Sequence, residues 1–129
     1  MKKVFKIALI AVVVIILIGV VVTVLMTMGL NDIQAMLINE VDINRMQDGT
    51  YTGNFEGRRW SNQVEVEIKG QKITSIKIEK DIKFPMEGIA EKIFNQVIEH
   101  QNTAVDVISG ATVTSKAYLK SIENALLSR

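Results

Sequence analysis

From Ile7 to Leu30 the chain carries no charged residue, only aliphatics with Met, Thr and Gly. At helical rise this run reaches about 36 Å, enough to cross a hydrocarbon core of roughly 30 Å. Apolar positions then thin out to helical spacing at Ile33, Met36, Leu37 and Val41, with Asp32 placed to cap the start. That spacing predicts a short amphipathic helix over 31–46, with a plain spacer as the alternative. Beyond the turn signal Asp48-Gly49 the period drops to two. Thr50 to Phe55 is rich in β-branched and aromatic residues and reads as a strand. A polar loop, 56–62, follows it. Val64, Val66 and Ile68 alternate with Glu65, Glu67 and Lys69, the mark of a strand covered on one face. Gly70-Gln71 is a hairpin connection. The next strand, Lys72 to Glu79, steps from Ile73 to Ile76, which predicts a bulge or register change near Ser75.

After the meander the period returns to that of helices. The lone proline, Pro85, places a connection over 81–85. Ile89, Ile93, Phe94, Val97 and Ile98 define a helix over 86–100 that should pack on the sheet. A short extended piece covers 105–108. A last helix from about Thr114 to Leu127 sets Leu119, Ile122 and Leu126 on its buried side. The class is α+β: an N-terminal transmembrane helix, then a small antiparallel sheet covered by helices. The organisation is a basic tip and signal anchor over 1–30, an amphipathic linker over 31–47 and a domain over 48–129.

Charge refines the placement. Lys2, Lys3 and Lys6 precede the apolar run, and the first basic residue after it is Arg45. The positive-inside rule then keeps the N-terminus in a bacterial cytoplasm and exports the remainder, with the bilayer as a partner of the anchor. A cleaved secretory signal is the competing reading, but its apolar region is usually only about 7–15 residues, with a small-x-small site behind it. Here the run is longer and ends Met26-Thr27-Met28-Gly29-Leu30 without a convincing site of that kind. The chain has no cysteine, which excludes disulfides and a lipid-modified cysteine. The part after the anchor carries a net charge of −2 with no basic block, so nucleic acid is not an expected partner.

The densest chemistry lies in Asp106-Val107-Ile108-Ser109-Gly110-Ala111-Thr112-Val113-Thr114-Ser115, which holds one carboxylate and four hydroxyls just ahead of a helical pattern. Helix N-termini expose unpaired N–H groups at the positive end of a dipole, and small residues let a ligand approach the main chain. Ser109-Gly110-Ala111-Thr112 therefore suits a phosphate, although a simple Ser/Thr cap gives the same pattern. Spacing leaves both open.

The run D-x-x-S-G-A-T, continued by V-T-S-K, resembles the flavinylation motif of the FMN-binding domain family. That domain is shared by the C subunit of sodium-translocating NADH:quinone reductases, the G subunit of Rnf-type complexes and small membrane-anchored bacterial proteins. Asp48-Gly49-Thr50-Tyr51-Thr52-Gly53 is similar to the family's domain opening, so the likeness covers about 48–129. The resemblance implies FMN joined through its phosphate to Thr112, with Asp106, Ser109, Gly110 and Ala111 at the other motif positions and Thr114 and Ser115 as adjacent hydroxyls. It also implies a separate exported transferase that uses FAD and a divalent metal, with Asp106 serving that encounter or simply stabilising a turn. No His or Cys partner near Thr112 would activate its hydroxyl, so Thr112 reads as an attachment point and not as a catalyst. The implied role is an extracytoplasmic flavoprotein that relays electrons between membrane or extracellular redox proteins. The alternatives are a component of a flavin-dependent reductase and an interaction module without flavin.

The remaining candidates read as follows. Trp60 either stacks on the flavin or packs in the core. Lys116 either faces the phosphate or stands exposed. Thr114 and Ser115 cap the last helix. Tyr51 is structural, and His100 is an exposed helix end whose single imidazole makes no metal site. Glu65 and Glu67 lie on the wet face of a strand.

Overall fold

The computed structural model describes residues 1–127. Helix α1 runs Lys2–Thr27, and none of its side chains is buried against the rest of the protein. It is long and apolar enough to cross a membrane, with a mean hydropathy of 3.4 over its most apolar window. Its hydroxyls are satisfied internally: Thr23 donates to the Gly19 carbonyl and Thr27 to that of Thr23, both at 2.9 Å. Such back-bonding is what an apolar surrounding demands of a polar side chain. Gly29, at φ +84°, breaks the helix with a left-handed turn.

Helix α2 covers only Leu30–Ala35, so the amphipathic helix expected over 31–46 stops early. The chain turns extended at Met36, and Asp42 caps a 3-10 turn at Ile43–Arg45 by accepting the Asn44 amide at 3.0 Å. Ile33 on α2, and Val41, Ile43 and Met46 in the non-α-helical stretch beyond it, are buried against the domain. Leu37, which helical spacing would have buried, is 78% exposed.

Strands β1 (Gly49–Phe55), β2 (Asn62–Lys69) and β3 (Lys72–Lys80) form an antiparallel sheet in the order β1-β2-β3. Val64, Val66 and Ile68 face inward from β2, each almost wholly buried. The broken alternation in β3 corresponds to a real bulge: Glu67 pairs with Ser75 and Ile68 with Ile73, leaving Thr74 over. Gly70 and Gln71 both take φ near +60°, the geometry of a tight hairpin turn.

Helix α3 (Ile89–His100) packs beside β3, and α4 (Thr112–Leu127) lies across β1 and β2. The architecture is therefore α+β, as the pattern predicts. α4 is buried well beyond the stripe of Leu119, Ile122 and Leu126: Ser115, Ala117, Tyr118, Ser121, Glu123 and Ala125 are covered too. The sheet covers one side of it, while α2 and α3 contact others. A helix enclosed in this way carries small or apolar residues nearly all round. Its one buried carboxylate, Glu123, is paired with Lys120 at 2.8 Å and accepts from the Asn39 amide at 2.9 Å, as a buried charge requires.

Candidate functional site

The motif folds into the turn that launches α4. The Ala111 amide donates to the Ile108 carbonyl at 2.9 Å, and the Ala111 carbonyl accepts the Ser115 amide at 2.8 Å. Ala111 is thus the cap residue, and the helix begins at Thr112 rather than at Thr114. Gly110 holds φ +80° with open space where a Cβ would stand. Glycine is needed there for its backbone angle, not for room.

This start changes the roles expected for the neighbouring hydroxyls. Ser115 is fully buried inside the first turn, and its Oγ accepts the Ile108 amide at 3.1 Å. It clips the preceding loop to the helix instead of capping it. Thr114 is also buried. Asp106 and Ser109 stand exposed on the preceding loop. Thr112 is half-buried as the first helical residue, and its hydroxyl has no protein partner among the described residues. The amides of the first turn lack intrahelical acceptors and place a partial positive charge beside it.

Thr112 lines an open groove of about 320 Å³, together with Leu30, Gln34, Arg59, Trp60, Met86, Gly110, Ala111, Val113 and Thr114. Asp106, Ser109 and Ser115 are not among the lining residues. Lys116 is not either, since its Nζ donates to the Gln34 carbonyl at 2.5 Å. Trp60 is buried in a 3-10 turn, so packing is its main role, yet one edge reaches the groove. Asn62 fixes that turn against the helix by donating to the carbonyls of Trp60 at 3.0 Å and Ala117 at 3.1 Å.

Arg59 is a residue that the sequence did not single out. Its guanidinium lies 4.1 Å from the centroid of the Trp60 ring and 6.0 Å from that of Phe84. Among the described residues no acceptor takes a hydrogen bond from it, and its Nε is buried without a partner. The only sequence signal was its place beside the lone tryptophan.

Met86 also borders a second, larger groove of about 660 Å³ between β3 and α3, where Ile76, Ile78, Phe94 and Tyr118 supply apolar surface. The Tyr118 hydroxyl donates to Asp81 at 2.6 Å. Burial first, and then this bond to a carboxylate, push the phenol well above its usual value of 10.0. The Glu65 carboxyl is raised from its ordinary value, first because it shares a hydrogen bond with Glu79 on the open face of the sheet. That pair lies on the exposed sheet face.

One reachable hydroxyl, first-turn amides, a left-handed glycine and an unpaired guanidinium, set beside apolar surface, fit a phosphorylated ligand with a flat apolar head. The fold and groove thus define a small domain suited to hold such a group at a helix start. The chain belongs to the FMN-binding domain family, whose sequence signature matches residues 60–127. FMN is the cofactor of that domain class. The chain is also 35% identical over 86 residues to the NADH:acrylate oxidoreductase of Vibrio harveyi. The matched stretch covers 64% of this chain and 8% of that protein.

Proposed function

We propose that Thr112 carries FMN as a phosphoester and that the domain relays electrons at the outer face of a bacterial cytoplasmic membrane, held there by α1. The observation that carries this reading is the position of Thr112. Of the four motif hydroxyls it alone is partly exposed, without a partner among the described residues, and on the wall of the groove. FAD is FMN joined through a pyrophosphate to AMP. Transfer onto the Thr112 Oγ forms one P–O bond and breaks another, releasing AMP. The hydroxyl proton needs a base, and the groove lining holds no carboxylate or imidazole. A separate exported transferase that binds FAD and a divalent metal supplies that base. Asp106 is exposed on the loop before the motif turn, and we assign it to that encounter.

Once attached, FMN supplies one- and two-electron redox chemistry, while the protein contributes position and electrostatics. The groove wall includes Leu30, only three residues past the end of α1. A chain that short reaches about 10 Å at most, so a membrane-spanning α1 sets the site close to the lipid surface and to membrane-bound or extracellular redox partners. The test is the intact mass of protein made beside an active transferase. Wild type should carry the mass of FMN less water, and Thr112→Ala should not. An unmodified wild type, or an equally modified Thr112→Ala, refutes the assignment. The likeness to a stretch of NADH:acrylate oxidoreductase favours as a second reading that the carrier serves a reductase. In that case flavin reduction should depend on an added reductase partner.

A further inference from the structure

A phosphoester at Thr112 would keep one negative charge in a groove whose lining holds one charged side chain, Arg59. The other cation on the first turns of α4, Lys116, is engaged by the Gln34 carbonyl. The Arg59 guanidinium lies over the Trp60 ring, 4.1 Å from its centroid, and among the described residues its side chain makes no hydrogen bond. The turn that presents it is strained. Arg58 sits at φ +54°, a left-handed conformation that a non-glycine residue seldom adopts. A stacked, unpaired guanidinium on a strained turn suits planar recognition of an oxyanion, which lysine does not reproduce.

We infer that Arg59 pairs with the phosphate held at Thr112 and so acts as a positioning residue for the tethered group. The inference rests on the proposed attachment, but it predicts an anion site in the unmodified protein as well. The probe is inorganic phosphate, added to the full chain in detergent micelles with Thr112→Val, which keeps the side-chain shape and prevents attachment. The backbone amides of 110–114 should shift in a saturable way. Adding Arg59→Gln should weaken the apparent affinity about tenfold or more, the scale of a lost charge-assisted hydrogen bond. Arg59→Met, which keeps an apolar stem over Trp60, should do the same if Arg59→Gln folds poorly. Lys116→Gln should change nothing. Equal phosphate affinity with and without Arg59, or no saturable shift, overturns the inference. A wild type lacking the FMN mass refutes the attachment instead, and the phosphate titration still decides the role of Arg59.

Discussion

β1 passes beneath α4 at Gly53, and the contact leaves no room for a side chain. A Cβ there would lie 2.1 Å from the Ser121 carbonyl oxygen, 2.2 Å from the Ala125 nitrogen and 2.6 Å from its Cα. Real Cβ atoms essentially never approach closer than 3.0 Å, so Gly53→Ala must drive strand and helix apart by ~1 Å in a close-packed interior. Overpacking usually costs about 1–3 kcal/mol. Here the obstructing atoms are backbone and cannot change rotamer, so the upper end applies, about 3 kcal/mol. For a small domain 1 kcal/mol moves the melting temperature by about 4–8 °C, so the expected fall is about 12–24 °C. Trp60 is the sole tryptophan and is buried, and its fluorescence reports unfolding without interference from α1. Gly110→Ala is the control: it meets no atom but must hold φ +80°, a strain of about 1 kcal/mol. If Gly53→Ala melts within a few degrees of wild type, or no lower than Gly110→Ala, the tight crossing of β1 and α4 is not what holds the helix in place.

Tyr118→Phe removes the hydrogen bond to Asp81 and should cost about 1–2 kcal/mol in denaturant unfolding at neutral pH. Because the folded phenol titrates above the unfolded value of 10.0, its contribution is full below about pH 10 and is lost as pH rises further. The gap between wild type and variant should therefore close in alkali, and a gap constant to pH 11 would contradict the assignment. Removing residues 1–47 strips Ile33, Val41, Ile43 and Met46 from the core. At about 1.5–3 kcal/mol each, that loss rivals the whole stability of a domain, roughly 5–15 kcal/mol. Residues 48–129 alone should show no cooperative melt, whereas 30–129 should; similar melts for the two would show the segment to be dispensable.

The meander, its bulge and both later helices were legible because period-two and helical spacing are direct consequences of one-sided burial. The motif directed attention to Thr112, and its attachment role stands as the proposal above. Three features were not legible. The segment 36–46 buries Val41, Ile43 and Met46 outside any α-helix, and Met36 and Val41 continue the helical spacing of Ile33 only by chance of position. α4 starts two residues earlier than expected because Ala111, with no capping side chain, takes the cap role, and Ser115 closes the loop from within the first turn. Arg59 lines the groove from a turn that Asn62 ties to α4 by a long-range contact, and no local pattern encodes such a contact.

The groove draws on four stretches far apart in sequence: the turn after α1, the Arg59-Trp60 turn, the loop at Met86 and the start of α4. The first of these is tied down by side chains. Lys116 of α4 donates to the Gln34 carbonyl, Asn39 to Glu123 of α4, and Thr103 to the Asn39 carbonyl at 2.6 Å. A free linker would let the domain wander over distances that grow with the square root of its length. A docked one fixes α4, and hence Thr112, relative to residues just beyond the apolar helix. If it relays electrons as proposed, a domain built this way exchanges reach for a defined position. On the reading proposed above, its partners must come to the membrane surface to be served, and the segment 30–46 is then part of the site's architecture as much as the motif is.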